Sequence, residues 1–278
     1  MKYFTEENSV EAVNARMGEN INPRLATLMT RLVAHLHAFA KEVELSQEEW
    51  ECGIEFLTRT GQICSPERQE FILLSDTLGL SMLVDQINNR RPAGATENTV
   101  FGPFHVVGAP IRKMGDAISL DGKGEICLYE GRILDLQGNP IEGAHIDVWS
   151  DNAEGFYDVQ QIGIQPRWNN RGVFVTGADG EYQFVGIKPV SYPIPNDGPV
   201  GRLLECLERH PFRPAHMHYL ITAQGYQKLV THTFVAADDY LDSDAVFGVK
   251  ETLIASFEQV DGGNTLWRSQ FDFVLSPI

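Results

Sequence analysis

The sequence predicts a mainly β protein, in which an antiparallel β-sandwich domain follows a helical N-terminal region. Apolar residues recur at helical spacing through roughly the first ninety positions, and this period then stops. The segment Arg90-Arg91-Pro92-Ala93-Gly94 marks the change. Beyond it, short β-rich runs alternate with turn residues, as they do in sandwiches and barrels. We therefore predict two domains, a helical one at residues 1–95 and a β-sandwich catalytic domain at residues 96–278.

Three helices are expected in the N-terminal domain. Asn22-Pro23 is an N-cap followed by proline in the first helical turn, and an apolar stripe at residues 25–43 follows it. Ser46 and Glu49 have the spacing of a capping box, which predicts the start of a second helix. A third helix is expected over residues 65–87, where apolar residues again recur at helical spacing.

Six strands are expected in the C-terminal domain, in three pairs that are each joined by a turn rich in glycine, proline or aspartate. Gln137-Gly138-Asn139-Pro140 is the turn of the first pair. The predicted strands are residues 126–134, 144–150, 172–176, 181–187, 216–223 and 228–235.

Composition excludes several classes of partner. Lys and Arg number 22 against 38 Asp and Glu, so the net charge is -16. A chain this acidic lacks the basic footprint of a nucleic-acid-binding protein, and it does not suit an anionic membrane surface. No apolar run approaches the ~18 residues of a membrane span, and the N-terminus lacks the apolar core of a signal peptide. The four cysteines are scattered, which favours a reducing, cytoplasmic location.

His216 and His218 carry the strongest chemical signal. Residues i and i+2 of a strand point to the same face, so both imidazoles could reach one metal ion. Tyr157 and Tyr192 lie upstream in loops, and imidazole nitrogen with tyrosinate oxygen suits Fe(III) better than a thiolate-preferring ion. Each residue also has an ordinary interpretation, because a buried tyrosine is usually a core aromatic and paired histidines can be structural. His232, on the next predicted strand, could be a competing ligand.

Three segments occur in order in the β-rich region: Gly155-Phe156-Tyr157-Asp158, Tyr192-Pro193-Ile194-Pro195 and Arg213-Pro214-Ala215-His216-Met217-His218. With Ile146-Asp147-Val148-Trp149 and the run TGADGEYQF at 176–184, they make most of the chain resemble the intradiol ring-cleaving dioxygenases. The resemblance implies one Fe(III) per subunit, held by Tyr157, Tyr192, His216 and His218 with hydroxide in the fifth position. It also implies catalytic roles for Tyr192 and Arg213, a homodimer formed through the N-terminal helices, and a phospholipid that such an interface can hold.

Two further segments point to one branch of this family. Leu73-Leu74-Ser75-Asp76 and Thr99-Val100-Phe101-Gly102-Pro103-Phe104 resemble the hydroxyquinol 1,2-dioxygenase branch, whereas catechol-preferring relatives carry a more apolar residue where Asp76 stands. The implied reaction is ring opening of hydroxyquinol (benzene-1,2,4-triol) by O2 to 3-hydroxy-cis,cis-muconate, which tautomerises to maleylacetate. The pocket residues implied by the resemblance are Leu73, Asp76, Val100, Phe101, Gly102, Pro103, Phe104, Ile194, Pro195, Arg213 and Val246.

Three alternatives stay open from the sequence. The same chemistry could act on catechol or chlorocatechol. His216 and His218 could instead hold zinc together with a carboxylate such as Asp158, as in a hydrolase with an open metal position. The β-sandwich could also be a non-catalytic binding module with structural histidines. Colour separates these classes, because tyrosinate bound to Fe(III) absorbs visible light and zinc does not.

Overall fold

The computed structural model describes residues 3–65, 68–260 and 266–278. The chain divides into two compact units, Met1–Gln62 and Ile63–Ile278. The first compact unit thus ends before the composition break at residues 90–94, so the last predicted helical segment belongs to the second unit. The domain division after residue 95 stays a prediction.

The first unit is helical, and the predicted helix starts are confirmed. Asn22 Oδ1 accepts hydrogen bonds from the backbone amides of Arg24 and Leu25, at 2.9 and 3.2 Å. Ser46 and Glu49 bond each other's backbone amides reciprocally, at 2.9 and 3.2 Å, and form the capping box. The helices are α1 (Ser9–Asn14), α2 (Pro23–Glu42) and α3 (Gln47–Gln62).

The third predicted helix is wrong as a single element. Two helices, α4 (Glu70–Thr77) and α5 (Leu80–Asn88), are separated at Gly79, whose φ is +73°. Glycine adopts this left-handed conformation without steric cost, so it ends α4 although the apolar spacing continues into α5. The predicted start at Ser65-Pro66 is also too early, and Pro66 lies outside the described residues.

The second unit contains all six predicted strands, and their observed ends differ from the predicted ones by at most one residue. Among the described residues the strands form two five-stranded sheets and a two-stranded one. The elements are β1 (Ile126–Leu134), β2 (His145–Trp149), β3 (Arg171–Val175), β4 (Glu181–Ile187), β5 (Tyr192–Pro193), α6 (Pro199–Cys206), β6 (Phe212–Arg213), β7 (His216–Thr222), β8 (Leu229–Val235), β9 (Ile254–Ala255), β10 (Glu258–Val260), β11 (Leu266–Gln270) and β12 (Phe273–Val274).

The two large sheets pack as a sandwich, which confirms the predicted fold class. One sheet has the order β10-β11-β1-β12 with β4 also paired to β1, and the other has the order β3-β2-β7-β8-β9. Buried Phe184 of the first sheet and Ile146, Phe174 and Met217 of the second belong to one core cluster. The expectation of purely antiparallel sheets is corrected, because β1 pairs in parallel with β11 and β12, and β8 with β9.

No helix within the described ranges combines the length and apolar character that a bilayer-spanning segment requires.

Candidate metal centre and substrate pocket

Strand β7 places the two histidines side by side. Met217 belongs to the sandwich core, so the alternation of the strand turns His216 and His218 to the opposite face of the sheet. Both are buried, and their Nε2 atoms lie 3.2 Å apart. The two imidazoles are therefore close enough to bind one metal ion together.

The two tyrosines reach the same point from different loops. Tyr157 immediately precedes a short 3-10 turn (Asp158–Gln160), and Tyr192 begins β5. The Tyr157 hydroxyl lies 2.9 Å from His218 Nε2 and 3.2 Å from the Tyr192 hydroxyl. The Tyr192 hydroxyl lies 3.5 Å from His216 Nε2. The structure thus brings the four predicted donors together in a buried cluster.

The donor chemistry of this cluster fits a cation. His216 Nδ1 donates to the Pro214 carbonyl oxygen at 2.7 Å, which leaves the Nε2 lone pair directed at the cluster. Burial, with the charge of Arg213, lowers the pKa of His216 to about 3, so its ring is neutral. Burial raises the pKa of both Tyr157 and Tyr192 above the usual value. In such a buried site, a tyrosine can remain a phenolate only beside a positive charge. Neutral imidazole and phenolate together form a ligand set that suits Fe(III).

His232 also belongs to this cluster. Its ring centre lies 4.7 Å from that of His216 and 4.1 Å from that of His218. One donor atom from each of the three histidines lies within 4.8 Å of the other two. From the sequence alone, His232 was only a possible competing ligand, because no local pattern shows that its ring packs against both other histidines.

Asp158 does not join the donors as the zinc alternative requires. Its Oδ1 accepts from Arg171 Nε at 2.7 Å, and its Oδ2 accepts from the Trp168 amide at 3.0 Å. Within the described part of the chain, the one group of three or more His, Cys, Asp or Glu donors consists of histidines alone. This arrangement disfavours the zinc hydrolase, because it lacks the expected carboxylate.

A pocket of about 360 Å³ adjoins the cluster through Tyr192 and Arg213. All eleven predicted substrate residues line it, from Leu73 on α4 to Val246 between β8 and β9. The structure adds lining residues that the sequence reasoning missed: Ile72, Ser81, Asp85, Gln160 and Pro193. Ser81 and Asp85 stand four residues apart on α5, so their shared helical face was the available signal.

The pocket combines apolar walls with a few charged groups. Val100, Ile194 and Val246 belong to one apolar cluster, which suits the faces of an aromatic ring. Arg213 is buried, and its Nη1 lies 3.1 Å from His216 Nε2. Desolvation raises the pKa of the Asp76 carboxyl, which a hydrogen bond from Ser81 partly offsets. The pocket therefore offers one fixed cation and a hydrogen-bond acceptor.

The linker residue Gly102 shows how closely the pocket wall approaches the donors. Its φ is +75°, and an added Cβ would lie 3.0 Å from His218 Cε1. Only glycine meets both conditions easily, so the backbone here passes directly over the histidine. Phe104, two residues further, stacks on Tyr157 with ring centres 4.5 Å apart.

Known proteins resemble this chain along nearly its whole length. Residues 22–96 match a family model described as catechol dioxygenase N terminus, and residues 100–277 match one described as dioxygenase. The hydroxyquinol 1,2-dioxygenase of Rhizobium sp. (strain MTP-10005) is 55% identical, over 99% of this chain and 96% of that protein. The 6-chlorohydroxyquinol 1,2-dioxygenase of Cupriavidus pinatubonensis is 50% identical, over 100% of this chain and 99% of that protein.

A solved structure, hydroxyquinol 1,2-dioxygenase from Pseudomonas putida DLL-E4, superposes with a TM-score of 0.92 at 46% identity, covering 98% of this chain and 97% of that one. Fold and family matches together define a dioxygenase. More particularly, the chain belongs to the intradiol ring-cleavage dioxygenase family, an iron-dependent, non-haem family. The resemblance found in the sequence is thereby confirmed, and the non-catalytic binding module is excluded.

Proposed function

We propose that this chain opens the ring of hydroxyquinol between its two vicinal hydroxylated carbons, consuming O2 and forming 3-hydroxy-cis,cis-muconate, which tautomerises to maleylacetate. The observation that carries the choice of substrate is the Asp76 carboxylate on the wall of a pocket that is otherwise largely apolar. An acceptor that is partly withdrawn from water is costly beside a bare ring edge, and the third hydroxyl of hydroxyquinol would satisfy it. One of the two relatives is named for hydroxyquinol and the other for 6-chlorohydroxyquinol, and both names support a hydroxyquinol-type ring as the substrate.

Tyr157, Tyr192, His216 and His218 are proposed to hold one Fe(III) per subunit. Each of the four donor atoms lies 2.9–3.5 Å from two of the others in a buried site, and this convergence supports the assignment. When bound, Fe(III) would supply the Lewis acidity that draws electron density from the diol and makes the ring reactive toward O2.

The protein groups around the ring have separate tasks. Tyr192, as a phenolate, would accept one of the two phenolic protons of the diol at its oxygen and become a neutral phenol, because this oxygen lies in the donor cluster and the residue lines the pocket. Arg213 would stabilise negative charge that develops on the ring, because a fixed cation in a water-poor site acts without reorganisation. Asp76 would orient the ring by accepting from the third hydroxyl.

We also propose a homodimer formed through the N-terminal helices. The stripe on α2 that predicted the helix is exposed in the single chain: Leu28, Leu32, Leu36 and Phe39 each expose about half of their surface, 49–56%. A contiguous apolar face of this kind typically marks an interface. A bound phospholipid there, and a cytoplasmic location, rest on the resemblance and the cysteine pattern and stay predictions.

Oxygen uptake on a panel of hydroxyquinol, catechol and chlorocatechol tests the substrate assignment. We expect kcat/KM to be highest for hydroxyquinol, with maleylacetate as the final product. Because hydroxyquinol also oxidises in air, the double variant His216→Ala/His218→Ala serves as the background. A higher kcat/KM for catechol or chlorocatechol would show that the substrate assignment is wrong.

A further inference from the structure

We propose that Asp244 is a positioning residue, which orients the Arg213 guanidinium toward the reacting ring. The inference rests on the proposed function, and specifically on the role of Arg213 as the charge-stabilising group. Both side chains are buried, with 4% of Arg213 and 2% of Asp244 exposed. Asp244 Oδ1 accepts from Arg213 Nε at 3.1 Å, and Oδ2 accepts from Nη2 at 3.3 Å. Two parallel contacts of this kind fix the plane of a guanidinium as well as its position.

The carboxylate is itself held firmly. Oδ1 also accepts from the Val246 amide at 3.2 Å, and Oδ2 from the Gly248 amide at 2.9 Å. Two backbone and two guanidinium donors thus satisfy it, so it has little freedom to turn. Val246 lines the substrate pocket, and the same carboxylate therefore ties the guanidinium to the pocket wall.

Gly248 packs directly against this ion pair. A Cβ at Gly248 would lie 2.9 Å from Arg213 Nη2 and 3.1 Å from Asp244 Oδ2. The Gly248 carbonyl oxygen in turn accepts from Thr99 Oγ1 at 2.7 Å, beside the pocket residue Val100. The turn after Asp244 is therefore built around the ion pair.

This arrangement determines which guanidinium nitrogen is left to contact a bound substrate. Nε and Nη2 are engaged by Asp244, and the remaining nitrogen, Nη1, points to His216 Nε2 at 3.1 Å. His216 Nε2 has a single lone pair, so a metal ion bound to it would displace this hydrogen bond. Nη1 would then be the guanidinium nitrogen available to a bound substrate, held in place from behind by Asp244.

A purely structural ion pair would share this geometry, so the test separates the two roles. A double-mutant cycle compares wild type, Asp244→Asn, Arg213→Gln and Arg213→Gln/Asp244→Asn. The measurements are kcat and KM for hydroxyquinol, and iron occupancy from the visible band. Asparagine keeps the shape of Asp244 and loses its charge. Asp242→Asn, at an exposed aspartate two residues away, is the matched control and should keep wild-type kcat.

We expect Asp244→Asn to lower kcat roughly ten-fold or more, because the Arg213 guanidinium would no longer be held in the productive position. KM should stay within about two-fold of wild type, and the visible band should be unchanged. In the Arg213→Gln background, the same substitution should lower kcat by less than about two-fold, because the group that it positions is already gone. Equal losses in both backgrounds, or no loss in either, would overturn the inference.

Two further outcomes of this experiment also bear on the proposal. If Asp244→Asn fails to fold or to hold iron, Asp244→Glu replaces it, since glutamate keeps the charge and moves the carboxylate. We then expect folded, iron-loaded protein with reduced kcat, and wild-type kcat would overturn the inference. If Arg213→Gln itself turns over like wild type, the proposed role of Arg213 fails, which is a separate result from a failure of Asp244 alone.

Discussion

Substitution of Asp76 should narrow the preference of the enzyme for hydroxyquinol over catechol. Asp76 lines the pocket, and desolvation raises the pKa of its carboxyl, so its surroundings are less polar than water. In the proposed complex it accepts a hydrogen bond from the third hydroxyl of hydroxyquinol. Catechol lacks that hydroxyl, and its complex would leave the carboxylate without this partner. Asp76→Ala should therefore weaken the use of hydroxyquinol much more than that of catechol.

The magnitude follows from the surroundings of the carboxylate. A hydrogen bond to a charged group contributes about 1.5–3 kcal/mol. Asp76 is half-buried, so the lower end applies. Because ~1.4 kcal/mol corresponds to a factor of ten, the hydroxyquinol-to-catechol ratio of kcat/KM should fall about ten-fold.

Oxygen uptake with both diols, on iron-loaded wild type and Asp76→Ala, measures this ratio. Asp85→Asn is the matched control, because Asp85 is the other carboxylate on the pocket wall and its Oδ1 already accepts from Asn89 at 2.7 Å. A ratio that Asp76→Ala leaves unchanged would refute the reasoning. A ratio that falls in Asp85→Asn instead would transfer the role to Asp85.

Three further predictions concern the proposed metal ligands and Arg213. His216→Ala or His218→Ala should lose most of the iron and the colour, and full iron occupancy in the double variant, measured by metal analysis, would contradict the ligand set. Tyr192→Phe should lack one tyrosinate component of the visible band and turn over slowly, and an unchanged visible spectrum would rule out ligation by Tyr192. Arg213→Ala should keep its iron and lose kcat by roughly 10²-fold, with partial rescue by lysine, whereas wild-type turnover would refute its role.

The features that depend on local sequence were predicted well. Short β-rich runs bounded by turn residues placed all six strands, because both signals lie in neighbouring residues. The pair His216 and His218 was predictable for the same reason, since i and i+2 share a face wherever the strand lies. The capping residues Asn22 and Ser46 were equally local.

The features that depend on contacts between distant segments were not predictable in the same way. Parallel pairing of β1 with β11 joins strands far apart in the chain, and no local pattern identifies such a partner. The break at Gly79 was missed because a glycine within an apolar repeat is compatible with a continuous helix. No local pattern links Asp244 to Arg213, and only the fold shows that the His232 ring packs against the rings of His216 and His218.

Turnover of hydroxyquinol under isotopically heavy O2 tests the central claim most directly, because it follows the fate of both oxygen atoms. Intradiol cleavage predicts that one O2 is consumed per hydroxyquinol and that both heavy atoms enter the ring-opened product. The His216→Ala/His218→Ala variant should show only background oxidation. Oxidation to a quinone, with neither heavy atom in the product, or equal ring opening by the double variant, would contradict the account.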